Sequence, residues 1–271
     1  MRCRGYLSTG NLSNAITRVI SENGHSHEFH GVPAVSARPH ISQEKTATRH
    51  VTQALPPPFL IGGASALDFL NSIASPVDAP VEWLSSGEDF LNWLSQADLV
   101  KPEVLQHMRR SAGPGELDAV AAQARALRNW FRSFVTSHMG ARLGPEAIRE
   151  LEPLNRLLAR DEVYGQIVSR NATSDGESIS GLAFVADRRW RSADSLLLPL
   201  AKVMADLVTT VDFTQIKGCE WHTCTLLFVD TTRGQIRRWC SMAVCGNRAK
   251  QATHRERSPR SSKTKQLLER R

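Results

Sequence analysis

The feature that most restricts how this chain can fold lies near its end: Cys219-Glu-Trp-His-Thr-Cys224, fifteen residues, then Cys240-Ser-Met-Ala-Val-Cys245. Two pairs of equal internal spacing fall within 27 positions, and the fifth cysteine, Cys3, is far away. Five cysteines in 271 residues are too few for a disulfide scaffold. The first twenty-five residues carry no charged-then-apolar leader, and no run of eighteen apolar residues occurs anywhere. We therefore read an intracellular, cytoplasmic protein with no membrane partner, in which paired thiols point to metal. Zinc takes four ligands in a tetrahedron, and the thiolates of Cys219, Cys224, Cys240 and Cys245 complete a structural site for one Zn2+ with no open position. His222, inside the first loop, would serve only if a thiolate were missing.

The residues between the pairs suggest how the second pair arrives. Thr225 to Thr231 and Gln235 to Trp239 read as strand-like flanks of a hairpin around Thr232-Arg233-Gly234. After Cys245 the spacing turns helical until Pro259. Knuckle, hairpin, helix is the order of a treble-clef finger, and a thiolate at the helix start is stabilised by free amide groups there. At about 100° per residue, Cys245, Ala249 and Ala252 face the zinc, and Lys250, His254 and Arg257 form a ridge on the opposite side. Arg248 and Arg255 flank the packed edge. Trp221 and Trp239 read as core.

Charge is as unevenly placed as cysteine. Residues 216–271 hold 13 Lys or Arg against 4 Asp or Glu, a balance of +9, whereas the rest hold 21 against 23. Zinc with four thiolates adds −2, leaving about +7 on the segment. Such asymmetry marks a module that meets a polyanion, nucleic acid before membrane. Lys250 and Arg257 rank first as phosphate contacts, with Arg237, Arg238, Arg248 and Arg255 beside them; contacts of this kind give affinity without sequence preference.

Upstream the class is mainly α with minor β (α+β). Residues 1–58, polar and holding five of the nine histidines, read as a disordered extension, or as sequence ahead of a true start near Val51. Residues 59–217 read as one helix-rich domain, 218–260 as the zinc finger and 261–271 as a basic tail. Helices are expected from the capping box at Ser86 and Asp89, from Glu116 to Met139 between Gly115 and Gly140, from Pro145 with a kink at Pro153, and from Ser192 to Thr209 with a kink at Pro199. In the third of these the apolar stripe is Ile148, Leu151, Leu154 and Leu158. Two strands are expected between Glu162 and Asp187, around Val163–Val168 and Leu182–Val185.

The run Arg237-Arg238-Trp239-Cys240-Ser241-Met242-x-x-Cys245-Gly246-Asn247-Arg248-x-Lys250, preceded by Phe228-x-Asp230, resembles the CGNR zinc finger. In that family the finger follows a helix-rich ABATE domain, and Leu67-Asp68-Phe69-Leu70-Asn71-Ser72 resembles the Asp-Phe-x-Asn-Thr signature opening that domain. The resemblance implies a bacterial transcription regulator whose helical domain senses a small ligand and whose finger binds DNA.

A small polar ligand would need polar groups where apolar ones are expected, and Asp68, Asn71, Arg128 and Asn155 are such positions. The alternative is an Asp68–Arg128 ion pair with both asparagines tying backbone groups. No nucleophile, base and orienting group can be assembled, so an enzyme is not expected. The reading is a zinc-dependent regulator that binds duplex DNA, with an RNA- or protein-binding zinc module as the alternative. A homodimer would suit paired half-sites, although no heptad repeat supports one.

Overall fold

The computed structural model describes residues 55–75, 80–174 and 177–257, without the side chains of 170–180 and 256–257. The expectations placed on residues 1–54 and 258–271 lie outside the described residues. The chain divides between Pro57 and Pro58, and every element below belongs to the unit that begins at Pro58.

The chain is helix-rich with small antiparallel sheets, as expected. The first helix, α1 (Ser65–Leu70), buries Ala66, Leu67, Phe69 and Leu70 and runs into a short ladder of β1 (Ile73–Ala74) with β2 (Val81–Glu82). Helix α2 (Gly87–Gln96) starts at the capping box: Ser86 Oγ accepts from Asp89 N at 3.1 Å, and an Asp89 carboxylate oxygen accepts from Ser86 N at 3.2 Å. Helix α3 (Pro102–Ser111) was not anticipated. It buries Leu105 and Met108, and Pro102 opens it where a missing N–H costs nothing.

Helix α4 (Glu116–His138) is the spine. Its buried face is Val120, Ala121, Ala124, Leu127, Phe131, Phe134 and Val135, with Arg128 buried among them. Gly115 and Gly140 bracket it at φ 75° and 87°, a region other residues avoid. Where α2 meets α4, a Cβ on Gly87 would fall 2.4 Å from the Leu117 Cβ, and Gly87 N donates to Asp118 Oδ1 at 2.7 Å.

Two predicted kinks prove to be helix starts. The segment from Pro145 is a 3-10 turn (Pro145–Arg149) followed by α5 (Glu152–Leu158), with Pro153 in the first turn of α5. The stripe shifts with it: Ala147, Leu151, Leu154 and Leu157 are buried, whereas Ile148 is 58 % exposed. Pro199 likewise lies in the first turn of α6 (Leu197–Thr210), which has no use for its missing N–H. Between α5 and α6 the two expected strands form a hairpin, β3 (Val163–Ser174) with β4 (Glu177–Arg188), paired from Val163↔Arg188 to Ser174↔Glu177. It shows Val163, Ile167, Leu182 and Phe184 to solvent.

The cysteine segment is built onto this helical body. Phe213, in the connection after α6, is fully buried, edge-on to Phe134 of α4, and its carbonyl accepts from Gly140 N at 2.9 Å. Next comes β5 (Ile216–Gly218), which pairs with β6 (Leu227–Val229) through Ile216↔Val229, Lys217↔Phe228 and Gly218↔Leu227. The first cysteine pair therefore sits in the turn of a β5–β6 hairpin, and the hairpin expected around Thr232–Gly234 does not form. The reason is Asp230, whose buried carboxylate gathers the segment that the second strand was expected to use. It accepts from Thr232 N and Oγ1 at 3.0 and 2.5 Å and from Arg237 N at 2.9 Å, and pairs with Lys217 Nζ at 2.8 Å. Leu226, Leu227, Phe228 and Val229 are all buried, so the knuckle's second strand belongs to the main core.

Candidate metal centre and nucleic-acid interface

Cys219 and Cys224 lie in the β5–β6 turn, where Cys219 N donates to Leu226 O at 3.0 Å and Cys224 N to Trp221 O at 2.8 Å. Cys240 arrives from the Asp230 loop, and its N–H donates to the Cys219 sulfur at 3.3 Å. Cys245 sits in a wide π-type turn, Met242–Gly246, capped by Ser241 Oγ accepting from Val244 N at 3.0 Å. That turn leads into α7 (Asn247–Arg257). The four sulfurs all lie within 4.8 Å of one another, and Cys224 and Cys240 are 3.9 Å apart. A tetrahedron with Zn–S of about 2.3 Å has edges of roughly 3.8 Å, so the donor set fits one zinc ion. The four sulfurs perturb one another. Hydrogen bonds from the neighbouring thiols pull Cys219 far below the ordinary thiol range, hydrogen bonding to Cys219 raises Cys224 and Cys240, and burial pushes Cys245 up to about 12. His222 is exposed, stacked near Trp221, and outside the cluster.

The knuckle is clamped to the body by residues the sequence had offered for other work. Asn71, only 1 % exposed, donates through Nδ2 to Leu227 O and accepts through Oδ1 from Leu227 N, both at 2.9 Å. Its amide acts as one peptide unit of a third strand beside β6, and Val229 N donates to Gly62 O at 2.8 Å on the same side. From α4, Arg125 reaches Leu84 O at 2.5 Å, Arg128 pairs with Glu82 at 2.6 Å and donates to Ser72 Oγ at 3.0 Å, and Arg132 donates to Leu70 O at 2.9 Å and to Thr225 O. Burial, then the neighbouring Arg128 cation, lowers the pKa of Arg132, and the Cys224 charge opposes that shift.

Of the two readings of Asp68, Asn71, Arg128 and Asn155, the structure shows the tie to backbone for Asn71 but no Asp68–Arg128 pair. Asn71 and Arg128 are occupied by these internal bonds, and Asp68 accepts from Gly62 N at 2.8 Å rather than pairing with Arg128. Burial raises the Asp68 carboxyl against the hydrogen bonds from Gly62 and Ile61. Asn155 is exposed on α5, apart from the others. Asp68, Asn71 and Arg128 are polar ties of the packed core, and their types were legible whereas their partners, up to 156 residues away in sequence, were not.

The cationic residues divide into two groups. Arg237 is turned inward, against expectation: it lies 4.1 Å over the Phe228 ring and donates to Trp239 O at 3.1 Å, to Val229 O and Ile61 O at 3.3 Å, and to Cys240 O. It holds the second pair to the body and is not available to a phosphate. Lys250, His254 and Arg255 are exposed on α7, with Arg255 Nε donating to Gln251 O at 3.4 Å, and Arg248 is half-buried. Arg257 closes α7, its side chain outside the description. Arg238 is exposed, pairs with Glu220 at 2.6 Å and stacks 5.0 Å from the centre of the Trp239 ring. Trp239 is half-buried rather than core, and it lines an open groove of about 430 Å³ together with Arg238, Gly246, Ala249, Lys250 and His254. Glu220 and Trp239 are the site residues that sequence spacing did not assign, Trp239 having been read as core.

A helical body carrying a four-cysteine knuckle-and-helix module on a shared core, with cations on the module's outer helix, is the architecture of a zinc-finger protein. The chain belongs to the ABATE family: that family's model, described as "Putative stress-induced transcription regulator", matches residues 63–211. The model of the CGNR zinc finger matches residues 215–258. No curated protein matches the chain.

Proposed function

We propose that the protein is a zinc-dependent transcription regulator that binds duplex DNA through α7 and the Trp239 groove of a treble-clef-like finger. The observation that carries this reading is the placement of Lys250, His254 and Arg255 in solvent on one short helix anchored by Cys245. Four thiolate ligands leave zinc no position for water or substrate, which supports a structural ion and a non-enzymatic protein. Among the described residues no helix is long and apolar enough to cross a membrane. A bacterial source and a two-fold dimer on paired half-sites accord with this reading.

Selection of bound sequences from random duplexes by the zinc-loaded chain tests it, with the affinity then followed against salt. Binding that weakens steeply with salt is expected. Lys250→Glu with Arg255→Glu should abolish it while zinc content stays near one per chain. Unchanged affinity in that variant refutes the reading. Structured RNA that competes better than duplex DNA would assign the same face to RNA instead, a reading to which the half-exposed Trp239 and the Trp221–His222 stack lend their aromatic surfaces.

A further inference from the structure

Two walls of unlike construction face each other across the Trp239 groove. One is α7, which contributes Lys250 and His254 above a floor of Gly246 and Ala249. The other is the irregular segment leading into Cys240, which contributes Arg238 and Trp239. The floor is small by necessity as well as by composition: a Cβ on Gly246 would come within 2.6 Å of the Met242 sulfur and 3.2 Å of the Trp239 ring. The indole is thus seated against the helix start, and the Arg238 guanidinium lies over it at the groove's edge.

Arg238 does not face the groove unopposed. Its Nε donates to Glu220 at 2.6 Å, and Glu220 is held in place by its own N–H donating to Arg238 O at 3.0 Å. The backbone bond places Glu220 beside the arginine. Both side chains remain about half exposed or more, at 63 % and 47 %. An ion pair this exposed is weak and exchangeable, because water and salt compete with both ends. A carboxylate paired with an arginine at the edge of a cationic groove occupies the arginine as a phosphate would, since both anions offer two oxygens to the same fork of donors.

We propose that the groove is the finger's phosphate seat and that Glu220 holds Arg238 in reserve until a phosphate replaces it. One phosphate of a bound duplex sits between Arg238 and Lys250, the Glu220 carboxylate is displaced, and the adjoining deoxyribose packs on the Trp239 indole. The duplex backbone fits because the groove has cations on both walls, an apolar ring between them and a floor without side-chain bulk. The inference rests on the nucleic-acid reading above and adds to it which residues share a phosphate and what guards them.

The test is a double-mutant cycle on the full zinc-loaded chain, with binding to a labelled duplex followed by anisotropy at several salt concentrations. Glu220→Gln should tighten binding about two- to five-fold, the fold-change equivalent of one exposed ion pair, with zinc content unchanged and a melting temperature lowered by at most about 2–4 °C. In an Arg238→Ala background the same substitution should gain nothing. A gain that persists there is a general charge effect and overturns the proposal. Arg238→Ala with Lys250→Ala should flatten the slope of log K against log salt by about 0.9, the value for one phosphate; a loss of about 1.8 means two separate phosphates and also overturns it. If the folded, zinc-loaded wild type binds no duplex at any salt, the functional reading itself fails and this inference goes with it, an outcome distinct from either failure in the cycle.

Discussion

Replacing Asn71 probes the join between the helical body and the zinc module. Its side chain makes two 2.9 Å hydrogen bonds to the backbone of Leu227, and both residues are buried. Asn71→Leu keeps the volume and removes both partners, leaving the Leu227 N–H and C=O without a ligand and without water. Each orphaned buried group costs about 1–3 kcal/mol, so we expect a loss of about 3 kcal/mol, discounted from the sum because the strand can shift slightly. For a unit of this size that is a fall in Tm of roughly 6–12 °C. The assay is urea unfolding with two readouts, helix content by far-UV circular dichroism and zinc release by a colorimetric chelator. Because β6 lies in the core of the helical body, the two transitions should coincide in the wild type and move together in Asn71→Leu. An unchanged helix transition, or zinc released well before the helices melt, would refute the claim that body and finger fold as one cooperative unit.

Other substitutions separate packing from binding. Arg237→Ala strips the donor from the carbonyls of Ile61, Val229, Trp239 and Cys240 and should cost about 2–4 kcal/mol in denaturant unfolding, whereas Lys250→Ala should stay within about 0.5 kcal/mol and weaken only DNA binding. Gly87→Ala forces a methyl against Leu117 and should destabilise by about 1–3 kcal/mol, read as a lower urea midpoint with an unchanged slope. Burial works to raise the Asp230 carboxyl, but hydrogen bonds from Lys217, Thr232 and Arg237 outweigh it and hold it below the usual carboxylate range. A carboxylate with a depressed folded pKa contributes stability above its unfolded value, near 3.9, and loses it as pH falls through the lower folded value. Asp230→Asn should therefore be less stable than wild type at pH 7, and the gap between them should narrow below about pH 4; a gap independent of pH would refute the assignment.

What the sequence revealed and what it concealed follow one division. Helix α2 and helix α4 were legible because their signals are local: a capping box at Ser86 and Asp89, and a stripe bounded by two glycines. The zinc ligands were legible because chelate spacing is local too. Asn71 and Arg128 stood out as polar residues in apolar stretches and Arg237 as a cation, and the reading of asparagine as a tie to backbone describes Asn71; the partners of all three were hidden because each is satisfied by backbone or carboxylate far off in the chain. The missing hairpin at Thr232 shows the same thing from the other side. Its flanks had strand composition, but the pairing went to Ile216–Gly218 instead, and Asp230 spent the intervening backbone donors on its own carboxylate.

The join between the two matched regions also constrains how a regulator of this build could pass a signal. Residues 212–214 are all that separates the region matched by ABATE from the one matched by the CGNR finger, and Phe213 within them is buried. A flexible linker would let the finger move independently and would leave its DNA affinity insensitive to the body. Here the knuckle strand is instead held by Asn71 of the segment after α1 and by Arg132 of α4. Any event that shifts α1 against α4 must therefore strain the Leu227 and Thr225 carbonyl contacts, and with them the position of Cys224 at the zinc. Coupling between two sites requires an element whose arrangement both of them bias. In this fold β6 touches both regions: one of its edges is bonded to the helical body, and the turn before it carries two of the four clustered cysteines.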